Sequence, residues 1–239
     1  VAAITTPSSI GVKSVMMNMG QLKTDGIEVT LKVSPIYRPQ DRFVWNISLN
    51  GTHAKSKYSK IGNSLQSMNE QNQANLNTTR YYDGGSPTDI WAVRSAGIDP
   101  ATGQDLFIKK DGTYTFTYDK NDEVVVGNTE PKLEGVLGTT LYYKGFSFGC
   151  YLRYQLGGQV FNSALYEKVE NIDRESINYN QDKRALYDRW STPGQEAKFK
   201  RISLFQTTET SSRFVMDENT LSGESFNIGY EFTQPFIKH

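Results

Sequence analysis

Between Pro131 and Leu156, in the stretch PKLEGVLGTTLYYKGFSFGCYLRYQL, apolar and polar positions alternate on both sides of the dipeptide Lys144-Gly145. Before it, Leu133, Leu137, Thr139, Leu141 and Tyr143 share one face, and Lys132, Glu134, Gly138, Thr140 and Tyr142 share the other. After it, Phe146, Phe148, Cys150, Leu152, Tyr154 and Leu156 alternate with Ser147, Gly149, Tyr151, Arg153 and Gln155. Alternation at the period of a pleated strand, interrupted by two residues of which Gly supplies a positive φ, predicts a β-hairpin. A two-residue loop fixes the register, setting Tyr143 against Phe146, Leu141 against Phe148, Thr139 against Cys150 and Leu137 against Leu152. The apolar sets then merge into one sheet face, with aromatics gathered at the turn as at a membrane–water interface. Pattern alone leaves two orientations open: outward to lipid, or inward as in a soluble barrel or sandwich.

The rest of the chain adds three further strands. Thr24-Asp25-Gly26 launches one in which Ile27, Val29, Leu31 and Val33 alternate with Glu28, Thr30 and Lys32. Ser34 to Arg42, with Pro35 and Pro39, reads as a short connection. The next strand sets Phe43, Trp45, Ile47 and Leu49 against Val44, Asn46, Ser48 and Asn50, and the last, Ser225 to Phe232, sets Phe226, Ile228, Tyr230 and Phe232 against polar neighbours. Val1 to Gly20 reads as irregular. Thr52 to Asn128 and Gly157 to Thr220 are long polar excursions. Within the first, Ile61, Leu65 and Met68 fit a short amphipathic helix, Tyr81 to Gly85 a turn, and GIDPATGQDLF a small hairpin. Five crossings joined by alternately short and long connections, with aromatics at the short-connection ends, have the asymmetry of outer-membrane barrels and favour the outward orientation.

Composition narrows the field. The 239 residues carry 26 basic and 26 acidic side chains, so nothing points to nucleic acid or a charged partner. A mean hydropathy of −0.56 and the lack of an apolar run of about 18 residues exclude a transmembrane helix but not a β-barrel. Cys150 is the only cysteine, which leaves no disulfide framework or thiolate metal cluster, and the N-terminus has no signal-peptide pattern.

Candidate chemistry is sparse. Gly145-Phe146-Ser147-Phe148-Gly149 matches the hydrolase pattern GxSxG, but that serine needs a strand–turn–helix setting and a histidine base. Here it opens a strand, and the histidines are His53 and His239. Asp99, Asp105 and the cluster Asp119, Asn121, Asp122 and Glu123 offer oxygens without EF-hand spacing, so they read as solvated turns. No catalytic residue, cofactor or metal site is nominated, and the chain is not expected to be an enzyme. Arg153, Glu28, Glu231 and Lys132 on the polar face could line a conduit or pair with one another. The loop residues Tyr81, Tyr82, Trp91, Arg94, Tyr187, Arg189 and Trp190 are of the types that stack on sugars or peptides, or that pack loops and meet a partner protein.

Several stretches resemble the C-terminal barrel region of TonB-dependent outer-membrane transporters of the SusC/RagA-like branch. They are MGQLKTDGIEVTL, RSAGIDPATGQDLF, GNTEPKLEGVLGTTLYYKGFSFGCYLRYQLGGQVFN, DRWSTPG and SSRFVMDENTLSGESFNIGYEF, and they occur in the family's order over nearly the whole chain. The resemblance implies an all-β fold, an antiparallel transmembrane β-barrel segment of about five crossings with long extracellular loops, within a plugged barrel of about 22 strands. Plug, TonB box and early strands have no counterpart here, and the chain stops at TQPFIKH without the usual final strands, so residues 1–239 read as a fragment of the receptor's C-terminal barrel.

The resemblance further implies a nutrient importer of the bacterial outer membrane for oligosaccharides or peptides. It would be driven by the TonB complex through the plug, lidded by a SusD-like surface lipoprotein and embedded in outer-membrane lipid, with no nucleic-acid partner. The rival reading is a non-transporting β-rich binding or adhesin module, soluble or surface-exposed.

Overall fold

Lys144 and Gly145 both lie at positive φ, 47° and 95°, the backbone that closes a two-residue hairpin without splaying its strands. They join β9 (Leu133–Tyr143) to β10 (Phe146–Phe161) in a computed structural model that describes residues 20–62, 65–75, 77–172, 174–203 and 206–232, with short pieces before residue 20. The register is the one expected from the pattern: Phe146 opposes Tyr143, Phe148 opposes Leu141, Cys150 opposes Thr139 and Leu152 opposes Leu137. At the φ of 95° held by Gly145 an L side chain would be strained, and a Cβ there would also come within 2.8 Å of the Glu231 carbonyl oxygen.

The hairpin is the centre of a five-stranded sheet. With β1 (Ala2–Thr5), β2 (Ser14–Met17), β3 (Gln21–Arg38), β4 (Phe43–Ser59) and β11 (Val215–Tyr230), the order in that sheet is β11-β10-β9-β4-β3. β4 pairs antiparallel with β9, so three strands carry rows in register: Phe43, Tyr143 and Phe146; Trp45, Leu141 and Phe148; Ile47, Thr139 and Cys150; Leu49, Leu137 and Leu152. The face is apolar and its polar atoms are matched. Phe43 and Tyr143 meet edge to face at 5.0 Å, and Trp45 Nε1 donates to Thr139 Oγ1 at 2.9 Å.

The opposite face is a polar network. Asn50 Nδ2 donates to Glu28 Oε1 at 2.8 Å, Arg42 reaches both Tyr142 at 2.7 Å and Glu231 at 2.9 Å, and Arg153 pairs with Glu224 at 2.6 Å. These pairs are exposed to solvent and hold the face in register more than they stabilise it. Arg153, Glu28 and Glu231 thus pair with other residues of the sheet, Glu224, Asn50 and Arg42, and not with one another as one sequence expectation has it.

Among the described residues, none of the buried hydrophobic side chains belongs to this sheet; on its apolar face Ile27 is 69 %, Leu137 41 % and Ile228 75 % exposed. The chain divides into two compact units, and the sheet's unit comprises Thr24–Lys55, Glu130–Gly158 and Asp217–His239.

The other unit, Val1–Lys23, Ser56–Thr129 and Gln159–Met216, holds the buried core: Ile61, Leu65, Ile90, Ala92, Val93, Ile98, Phe107, Val169, Phe199 and Phe214. Its sheet runs β7-β6-β5-β8, from β5 (Asp89–Ile98), β6 (Asp105–Ile108), β7 (Tyr114–Thr115) and β8 (Glu123–Asn128). β5 and β6 are the small hairpin expected in GIDPATGQDLF, with a bulge between Ser95 and Gly97. The second excursion contributes α2 (Ser163–Leu165), a π-helical turn over Tyr166–Glu170, and α3 (Arg184–Tyr187).

Three sequence expectations need correction. Val1 to Gly20 is not wholly irregular, because β1 and β2 pair antiparallel. The helix α1 spans Gln66–Ala74 and buries Asn69; Ile61 and Leu65 are buried but precede it. The strands also outrun the alternation: β3 passes through Pro35 to Arg38, β4 continues to Ser59, and β11 begins at Val215 and ends at Tyr230. β3 is an edge of this sheet, where a missing N–H breaks no ladder bond. Backbone pairing needs no apolar face, so it persists where the pattern fades. The TQPFIKH end lies outside the described residues beyond its first position's neighbour, Phe232.

The register has a direct chemical check. Thr139→Cys in a full-length protein whose only other cysteine is Cys150 should oxidise to an intramolecular disulfide, since directly opposed residues fall within bonding reach. Thr140→Cys points to the other face and should stay reduced. The reverse outcome would mean a slip of one residue.

Candidate functional site

The loop-bearing unit builds a cavity lined by aromatic side chains, and its construction starts at α1. Asn69, buried on that helix, donates from Nδ2 to the Tyr81 carbonyl oxygen at 2.8 Å and accepts from the Tyr81 amide at 2.7 Å. Asn72 donates to the Thr79 carbonyl oxygen at 3.1 Å. Two helix side chains therefore satisfy the backbone of an irregular segment, which would otherwise be buried without partners. Asp83 closes the next turn by accepting from the amides of Ile61 at 2.8 Å and Gly62 at 3.0 Å, and those two bonds hold its carboxyl below the usual range.

Arg80 is driven into the interior, 3 % exposed, where it donates to the carbonyl oxygens of Asn77 and Thr79 and to Glu123 Oε2 at 2.6 Å. Both partners of this ion pair are buried, so removing either would strand a charge. The Trp91 amide donates to the Thr78 carbonyl oxygen at 2.8 Å, which fixes β5 beside the same segment. Tyr82 and Trp91 then meet at a centroid distance of 5.3 Å, and Tyr81 meets Tyr58 at 5.7 Å. The result is a cavity of about 270 Å³ lined by Tyr81, Tyr82 and Trp91 with Gln66, Asn69, Glu70, Gln73, Arg80, Lys110 and Glu123.

Three of the seven residues singled out from the sequence thus converge. The other four do not join them. Arg94 donates to the carbonyl oxygens of Lys109 and Lys110 and ties down the β6–β7 turn. Arg189 is buried, and its guanidinium donates to the carbonyl oxygens of Ala185, Lys200, Val169 and Glu170. That burial depresses its pKa, with Glu170 working in the opposite direction. Trp190 donates from Nε1 to the Pro100 carbonyl oxygen at 2.8 Å and lies so close to Gly103 that any Cβ there would run into the indole. Tyr187 is 75 % exposed on α3. Arg189 and Trp190 therefore pack loops together.

A second polar centre was not legible beforehand. Arg213 pairs with Asp105 at 2.7 Å and Glu170 at 3.0 Å and lies over the Phe214 ring at 4.6 Å, while Thr208 Oγ1 donates to Glu170 Oε1 at 2.8 Å. Burial raises the Asp105 carboxyl above its ordinary range, opposed by Arg213. Lys200 is half-buried nearby and depressed, again by burial first and against the pull of Asp105 and Glu170.

Among the described residues no group of His, Cys, Asp and Glu side chains is arranged to hold a metal. Asp99 accepts from Thr102, Asp119 from the Asn121 amide and Asp122 from the Lys110 amide, so each closes its own turn or a neighbouring one. Ser147 lies on β10 opposite Tyr142. His53 shares its Nδ1 with the Lys132 carbonyl oxygen, and His239 lies outside the described residues.

The folded chain is a β-sheet segment with an open apolar face and a separate loop-bearing unit, and comparison with known proteins finds this arrangement elsewhere. No protein-family model and no curated protein matches the sequence. Among solved structures, 95 % of the chain matches 24 % of a chain in the structure of the RagAB peptide transporter, with a TM-score of 0.74 and 21 % identity. The RagAB peptide importer matches in its open-open and closed-closed states, each with a TM-score of 0.70 and 20 % identity over 95 % of this chain. The fold is that of a segment of these RagAB transporter chains, and the chain spans about a quarter of the length of the chains it matches.

The contrast between Arg189 and Tyr187 can be measured. Arg189→Ala in the full-length protein removes donors from four carbonyls, two of them on the buried residues Val169 and Glu170, and should destabilise the loops by on the order of 3 kcal/mol, seen as faster limited proteolysis within residues 160–214. Tyr187→Ala should leave the cleavage rate unchanged. Equal sensitivity of the two would mean that Arg189 is not the loop's anchor.

Proposed function

We propose that the chain supplies barrel wall and extracellular loops to a TonB-dependent nutrient importer of the outer membrane. The observation that carries this reading is the set of apolar rows, in register across β4, β9 and β10, which no other element of the sheet's own unit buries. An apolar face of that breadth in water would be an aggregation site, whereas in hydrocarbon it is the surface a barrel needs. Backbone groups of the inner strands β10, β9 and β4 are paired within the sheet, as the bilayer demands, and the edges β3 and β11 would pair with further strands of a closed barrel. The fold's likeness to a peptide importer supports a peptide as cargo ahead of an oligosaccharide, and a SusD-like surface lipoprotein as the lid partner. No bond is made or broken in this role, and no residue acts as a catalyst. The TonB complex would act elsewhere in the full-length protein.

Leu152 and Arg153 are consecutive and face opposite ways, which makes them a matched pair. In the full-length protein folded into lipid, Leu152→Arg places a charge in hydrocarbon and should cost about 2–4 kcal/mol near the midplane. Arg153→Leu loses only an exposed pair with Glu224 and should fold and insert nearly as the parent does. Denaturant titration in bilayers of defined thickness separates the two. Equal costs would remove the wall assignment.

A further inference from the structure

The cavity bounded by Tyr81, Tyr82 and Trp91 is lined by two basic side chains, Arg80 and Lys110, and two acidic ones, Glu70 and Glu123. Lys110 apart, the nitrogen donors on its polar wall are spent inside the protein. Arg80 donates to backbone carbonyls and Glu123, and Asn69 to the Tyr81 carbonyl oxygen. Gln66 Nε2 donates to Glu70 Oε1 at 3.1 Å, and Gln73 Nε2 to the Lys120 carbonyl oxygen at 2.6 Å and to Glu123 Oε2 at 3.2 Å. Among the described residues, the second oxygens of these side chains, Gln66 Oε1, Gln73 Oε1, Glu70 Oε2 and Glu123 Oε1, carry no hydrogen bond to the protein. Beside them stand aromatic rings, whose faces are negative. Acceptor oxygens and π faces around one concavity are complementary to a donor that carries positive charge.

Lys110 also lines the wall and has no ion-pair partner among the described residues. Its backbone is tied by Asp122 and Arg94, but its ammonium is free to compete for the same oxygens. The cavity therefore sets acceptor oxygens and π faces beside one tethered ammonium.

We propose that this cavity receives an ammonium or guanidinium group. In the importer reading, on which this last step rests, the group belongs to a peptide substrate, as a basic side chain or as its amino terminus. The Arg80–Glu123 pair forms the rigid floor, Glu70 supplies the carboxylate outside that pair, and the Tyr82 and Trp91 rings flank the ligand.

The test uses the full-length protein purified in detergent and three capped tripeptides, measured by calorimetry. Acetyl-Ala-Arg-Ala-amide carries only the side-chain cation, Ala-citrulline-Ala-amide only the amino terminus, and acetyl-Ala-citrulline-Ala-amide neither. At least one cationic peptide should bind about tenfold more tightly than the neutral one, and which one identifies the source of the charge. Glu70→Gln, on an exposed helix position, should erase most of that preference, and Lys110→Met should enlarge it. Glu196→Gln, an exposed carboxylate outside the cavity, should do neither. Equal binding of all three peptides, or a preference that survives Glu70→Gln, would overturn the assignment. Cation-selective binding by a protein that imports nothing would keep the site and remove the importer reading instead.

Discussion

Everything in the larger sheet depends on the backbone of Lys144 and Gly145. With both residues at positive φ the hairpin has a single register, and because side chains alternate at a period of two, a slip of one residue would send every apolar side chain to the opposite face. The register then propagates: β4 pairs with β9 so that its Phe, Trp, Ile and Leu fall into the hairpin's rows. A continuous apolar face and a continuous polar face are consequences of one turn. What the apolar face meets is the question on which function turns.

The loop-bearing unit solves a different physical problem. Long irregular segments bring backbone carbonyls into the interior, and each needs a donor. Arginine is the residue that answers this, since one planar guanidinium carries five N–H groups. Arg80 and Arg189 both satisfy clustered carbonyls, and Arg80 and Arg213 in addition neutralise buried carboxylates. Such pairs contribute little net stability over an apolar core, but breaking one strands a charge. The cavity beside Arg80 inherits its rigidity and its exposed oxygens from this arrangement.

The sheet was largely legible from the amino-acid order because a two-residue turn and a period of two are local signals. The strand ends were not, since β4 beyond Asn50 and β11 before Ser225 lose the strict alternation of apolar and polar residues while their backbones stay paired. The helix was misplaced for a related reason: Ile61 and Leu65 are buried, but in the turn that leads into α1, and the helix itself packs through Asn69. Aromatic and arginine content picked out Tyr81, Tyr82 and Trp91, yet the same content equally marked Arg189 and Trp190, which bind the protein's own backbone. Arg80 and Glu123 lie 43 positions apart, and nothing local in the sequence joins them.

The central claim is that the apolar rows face lipid. Cys150 stands at the β10 end of one row, opposite Thr139, and provides a native attachment point. A nitroxide would be placed singly at Cys150 and at cysteines replacing Tyr151, Leu152 and Arg153, in full-length protein reconstituted into bilayers and otherwise free of cysteine. Collision with dissolved oxygen and with a water-soluble nickel chelate would then be measured at each site by electron paramagnetic resonance. The account predicts oxygen access high at 150 and 152 and low at 151 and 153, with nickel access in the opposite phase. Uniform access along the four positions, or alternation in the inverted phase, would contradict it.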